Sequence, residues 1–200
     1  MPPTPETNQR ALIRAARSRK QHHIARFILV SIYTGTRKAA ALNLRLTGPS
    51  MNGGWFDLEA GLLYRRGEGE RITNKRRTPV RLPRQLLAHA SRWQRSGSIW
   101  AVEWRGQRIA DLKTAWAAIV KDAVRDEASA LDWKPTPHSL KHTAITWAIQ
   151  GGASVADAAG FFATSIETIE RTYWHLSPHF QSGALAAIEG NRGRSKGQKI

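Results

Sequence analysis

The sequence contains no cysteine, which excludes disulfides and thiolate-bound zinc and fits a reducing interior. Acidic residues are scarce: 15 Asp and Glu stand against 31 Lys and Arg in 200 residues, a formal net charge of +16 with a pI of about 11.3. A surplus of that size points to a polyanionic partner, nucleic acid first; the plain alternative is a soluble protein that is simply basic. Long apolar runs are missing too, so no stretch spans a bilayer. The opening MPPTPETNQRA lacks the apolar segment of a signal peptide, and no segment reads as a basic amphipathic helix with a lipid-facing stripe. A cytoplasmic location, in a bacterial or phage-infected cell, and no membrane partner are therefore expected. What is present is a hydrophobic content of 41% with eight tryptophans, enough for a core in one domain.

Periodicity divides the chain into helices, a hairpin sheet, then helices again. Residues 1–8 are rich in Pro and Thr and expected to be a flexible N-terminus; one domain is expected over 9–190, with a basic flexible tail over 191–200. Helices are expected over 9–20, 22–33 and 37–46, the second interrupted by Thr34-Gly35-Thr36. WFDL (55–58), LLYRR (62–66) and TPVRLP (78–83) read as strands of a small three-stranded antiparallel sheet. The second and third are joined by a highly charged hairpin, and Gly106 reads as the turn of a further short strand pair. Helical period returns over 84–95 and 111–129. Another helix begins near His138, after Pro135 and Pro137. Ser154 and Asp157 have capping-box spacing, and Thr164 or Ser165 caps a helix through His175.

Breaking a phosphodiester without metal needs a nucleophile, cations on the non-bridging oxygens and a proton donor for the leaving oxygen. Four places supply such groups. TGTRKAAAL sets Arg37 after a glycine turn at a helix start, where its guanidinium can fork onto phosphate oxygens. ITNKRRTPV carries Lys75 on the hairpin, with Arg76 and Arg77 as candidate contacts to DNA phosphates; a solvated hairpin tip is the plain reading. HSLKHT places His138 and Lys141 three apart on one helical face. ETIERTYWH places Tyr173, one of three tyrosines, near the end of the last strongly periodic helix. His138 and His142 have the spacing of a zinc pair, but no third ligand is evident and no metal site is expected; His142 reads as a packed structural histidine.

The order and setting of these motifs resemble the catalytic domain of the tyrosine recombinases, the phage integrase family, over roughly residues 9–180. TGTR is similar to the family's first-arginine box, TNKRRTPVRLP to its hairpin-lysine motif, HSLKHT to its His-x-x-Arg box and TSIETIERTYWH to the segment ending in the nucleophile. The resemblance implies a mainly α fold with a small three-stranded antiparallel sheet. It also implies site-specific cleavage and rejoining of double-stranded DNA through a 3′-phosphotyrosine, by a homotetramer on DNA, with no ATP, metal or other cofactor. Tyr173 would attack the phosphate, Arg37 and Lys141 would hold its oxygens, Lys75 would protonate the departing 5′ oxygen and His138 would manage protons beside it. Thr164 and His175 would be accessory.

Three positions depart from the family pattern: Lys141 replaces its second arginine, Thr164 stands where a histidine or tryptophan is common, and Ala40 where an acid often follows the first arginine. Most of the family also carry a DNA-clamping domain ahead of this one. The alternative reading is a catalytically decayed prophage integrase remnant that binds DNA without chemistry. A third, RNA-binding reading would need aromatic residues exposed on a sheet, whereas they fall mainly on apolar helix faces.

Overall fold

The computed structural model describes residues 5–71, 77–126, 131 and 133–194. Helices α1 (Pro5–Ser18), α2 (His22–Thr34) and α3 (Lys38–Ala41) lead into strands β1 (Trp55–Asp57), β2 (Leu62–Tyr64) and β3 (Val80–Arg81). Helix α4 (Arg84–Arg95) and the small hairpin β4 (Glu103–Trp104) and β5 (Gln107–Arg108) follow, then α5 (Lys113–Arg125), α6 (Ser139–Gln150), α7 (Val155–Phe162) and α8 (Ile166–Tyr173). A 3-10 turn, Trp174–Leu176, separates α8 from α9 (Ser182–Arg194). The expected mainly helical fold with a three-stranded antiparallel sheet is present, with strand order β1-β2-β3. Among the described residues no helix is long and apolar enough to cross a membrane.

Several boundaries differ from the sequence reading for physical reasons. Helix α1 begins at Pro5, inside the stretch expected to be flexible; a first-turn proline gives up no hydrogen bond there. Helix α3 is one turn long rather than reaching residue 46, because the chain leaves it to hydrogen-bond with the sheet: Arg45 bridges both Trp55 and Trp100. Strand β3 shrinks to two residues between Pro79 and Pro83, which have no N–H for a ladder. Helix α9 carries helical structure to Arg194, into the segment read as a flexible tail.

Helix α2 is the centre of the domain. Its Ile24, Phe27, Ile28 and Val30 are fully buried, and it packs against α1 and α6. One apolar cluster gathers α1, α2, the sheet, α4, α5 and the start of α6. A second, smaller one joins the rest of α6 to α7 and α8 through Ala144, Ile145, Ile149, Phe162, Ile169 and Tyr173. Phe161 packs against both clusters.

Candidate active site

The TGTR segment works as a rigid corner. Gly35 ends α2 in the left-handed conformation (φ 63°), its N–H donating to the Ser31 carbonyl at 2.8 Å. A Cβ there would lie 2.5 Å from Phe162 Cδ1, so glycine is required both for the turn and for the approach of α7. Thr34 Oγ1 donates to the Val30 carbonyl at 2.6 Å and accepts from the Thr36 N–H at 3.2 Å. The two threonine hydroxyls are 2.6 Å apart. The corner sends Arg37 out in extended conformation at the start of α3, exposed to solvent. Ala40 offers it no carboxylate, and among the described residues Arg37 forms no ion pair.

Two more cations meet this corner. Lys141 is 7% exposed, and its ammonium donates to the Phe162 carbonyl at 2.8 Å. Burial lowers its pKa to about 8, with help from the nearby charges of Arg37 and Arg65. Arg65, just past β2, is 5% exposed and donates through Nη2 to the Thr34 carbonyl. Burial and the neighbouring Arg37 lower its pKa to about 10. Its backbone passes beside Gly54, where a Cβ would lie 2.1 Å from the Tyr64 carbonyl oxygen.

These groups line two adjoining hollows. The inner, of about 130 Å³, is bounded by Gly35, Thr36, Arg37, Arg65, Arg77 and Lys141 among others. The outer, of about 420 Å³, shares Thr36, Arg37, Ala39 and Lys141 and adds Thr136, Pro137 and His138. Among the described residues no carboxylate lines either hollow. Half-buried Arg77 instead pairs with Glu70, whose other oxygen accepts the Gly53 N–H at 2.7 Å.

The tyrosine stands next to the outer hollow. The Tyr173 ring belongs to the smaller apolar cluster and the residue is 5% exposed, yet its hydroxyl is hydrogen-bonded to Nδ1 of exposed His142. His142 lies edge-on to His138, ring centroids 4.7 Å apart and planes at 87°. Burial raises the Tyr173 pKa. Burial, then the charges of His138 and Lys141, lower that of His142. A neutral His142 with its proton on Nε2 accepts the phenol proton at Nδ1.

Of the residues singled out from sequence, Arg37, His138 and Lys141 share the outer hollow, and Tyr173 reaches its edge through His142. Arg77 borders the inner one. Lys75 and Arg76 lie outside the described residues. Thr164 is half-buried, its N–H on the Ala159 carbonyl at 3.1 Å, and Ser165 takes the cap of α8 by accepting the Thr168 N–H. His175 is exposed on the 3-10 turn. Neither Thr164 nor His175 lines either hollow. The expectation that His142 is a packed structural histidine is corrected: it is an exposed partner of the Tyr173 hydroxyl, one turn along the face that carries His138. Arg65 was missed. Its signal was the two-residue period of the strand, which puts it on the face of buried Leu63.

No family model matches the sequence, and no curated protein matches it. The fold is similar to that of a solved structure, a crystal structure of XerA recombinase, with a TM-score of 0.59 and 21% sequence identity over 90% of this chain and 61% of that one. The chain therefore spans about three fifths of its solved neighbour's length. The likeness is one of fold, that of a tyrosine recombinase.

Proposed function

We propose that this chain cleaves and rejoins strands of double-stranded DNA through a covalent tyrosine intermediate. One observation carries the proposal: Arg37, Arg65 and Lys141, from three separate elements, border a hollow that no carboxylate lines among the described residues, and the Tyr173 hydroxyl is hydrogen-bonded to His142, whose ring meets His138 of the adjoining hollow. Among the described residues Arg77 pairs with Glu70 and Lys38 with Asp111, while Arg37, Arg65 and Lys141 have no carboxylate partner, and a phosphodiester would supply one negative charge to them.

In the proposed reaction the scissile phosphate sits against Arg37 and Lys141, which neutralise its non-bridging oxygens. Tyr173 Oη attacks phosphorus as its proton passes to His142 Nδ1. The bond from phosphorus to the 5′ oxygen breaks, leaving a 3′-phosphotyrosine and a 5′ oxygen that takes a proton from Lys75. The reverse attack by a 5′ hydroxyl restores the diester, so bond energy is conserved. His138, at the mouth of the outer hollow beside His142, donates to the phosphate. Assembly as a homotetramer on DNA belongs to the same proposal.

A second reading is a DNA-binding remnant without chemistry. It is favoured by the engagement of Lys141 with the Phe162 carbonyl and of Tyr173 with His142, which leaves both groups already partnered. A nicked suicide duplex, which loses its leaving strand, separates the two readings. The catalytic reading expects a denaturation-resistant protein–DNA adduct that disappears in Tyr173→Phe. DNA binding with no adduct from the unaltered chain supports the remnant.

A further inference from the structure

Arg65 is the least explained charge in the molecule. It is 5% exposed, and among the described residues only Nη2 has a partner, the Thr34 carbonyl. Nε and Nη1 are buried and, among the described residues, make no hydrogen bond. A guanidinium is not left in that condition by packing alone, because each unpaired buried donor is penalised and the group cannot shed its charge. Both neighbouring charges, Arg37 and Lys141, are cations, and the hollow that Arg65 borders contains no acid.

The geometry points to Arg65 as a further phosphate-binding residue of this site, an unused N–H of its guanidinium donating to a non-bridging oxygen of the scissile phosphate. This rests on the strand-cleavage reading above and deepens it. Position 141 carries a lysine, whose ammonium has no fork and is already committed to the Phe162 carbonyl. Arg65 borders the same hollow from the sheet side with Nε–H and Nη1–H unused, and so offers a phosphate charged donors that Lys141 has committed elsewhere. Nη2, anchored on the carbonyl of Thr34, ties Arg65 to the corner that presents Arg37. In this state Nε and Nη1 are shielded from solvent. A phosphate reaches them by displacing the rim side chains, exposed Arg37 and half-buried Arg77.

The test compares adduct formation on two nicked suicide duplexes. One carries an ordinary scissile phosphate; the other has a methyl group in place of one non-bridging oxygen, removing the negative charge that Arg65 would meet. Arg65→Met keeps an unbranched side chain in place of the arginine stem and removes the charge. It is expected to lower the adduct rate on the ordinary duplex by about ten- to a hundred-fold, while the rate on the methylated duplex stays near that of the unaltered chain. Arg65→Lys, which retains charge without the fork, is expected to fall between and carries the comparison should the methionine variant not fold. An equal loss on both duplexes, or none on either, overturns the assignment. If the unaltered chain forms no adduct, strand cleavage has failed, and inorganic phosphate then decides the fate of Arg65. Thermal stabilisation by phosphate that Arg65→Met abolishes upholds an anion site there; equal stabilisation of both proteins refutes it.

Discussion

The cation side of the cleft and its tyrosine side rest on cores of unequal size. Arg37 and Arg65 are presented by elements of the larger cluster, whose Leu12, Ile24, Phe27, Ile28, Leu44 and Phe56 are sealed from solvent. Tyr173 stands on α8, held by a thin layer with α6 and α7 in which the large side chains sealed to the same degree are Ile149 and Ile169. The two clusters meet where α6 packs on α2, where Phe161 touches both, at the seat of Phe162 against Gly35, and through the Thr78 hydroxyl on the Gly160 carbonyl at 3.2 Å. Beyond the tyrosine, α9 leaves Leu185 and Ile188 more than half exposed. Arg37 and Arg65 are therefore presented by the larger core, while the group that would attack a phosphate stands on the smaller one, whose opening gives up less buried surface.

Core truncations test that contrast with the largest expected effects. Phe27→Ala should lower the stability of the whole domain by about 3–5 kcal/mol, and Ile169→Ala by about 2–5 kcal/mol, both read from urea unfolding. Hydrogen exchange then distinguishes them. Ile169→Ala should quicken exchange over residues 144–176 while α2 keeps its protection; uniform loosening by both variants would break the comparison.

Next in size is the pH dependence at the join. The folded-state pKa of Lys141, about 8, lies below the ordinary lysine value near 10.4. Between the two, the unfolded chain binds more protons, so stability rises as pH climbs from about 8 towards 10.4, and the gain is lost as pH falls back through 8. The shift corresponds to on the order of 3 kcal/mol. Urea midpoints should rise across that window more steeply in the unaltered chain than in Lys141→Met; parallel curves would mean that the ammonium is not buried between the halves.

The smallest effect is local to the tyrosine side. Ser165 accepts the Thr168 N–H at 3.1 Å at the start of α8, and Ser165→Ala should cost about 1 kcal/mol. The sharper sign is faster exchange in α8 alone.

The architecture was legible wherever a single period persisted: α2, α4 and α6 lie close to their expected places, and the sheet has its expected order. Boundaries failed where distant partners decide them, as at Arg45, whose bridges to Trp55 and Trp100 cut α3 short. Arg37, His138 and Lys141 could be named because local motifs display them. Arg65 was passed over, although the strand period puts it on the face of buried Leu63, because its partner, the Thr34 carbonyl, lies 31 positions away in the chain. His142 was misjudged for the same reason, since its partner hydroxyl comes from α8, 31 residues on.

The most direct test of the account is to trap the chain on a nicked duplex, digest it, and identify by mass spectrometry which tyrosine carries the nucleotide. The chain has three. Tyr33 is hydrogen-bonded to Gln85, and Tyr64 stacks on Trp55 with ring centroids 4.5 Å apart. The account predicts modification of Tyr173; a nucleotide on Tyr33 or Tyr64, or on no tyrosine while DNA remains bound, would contradict it.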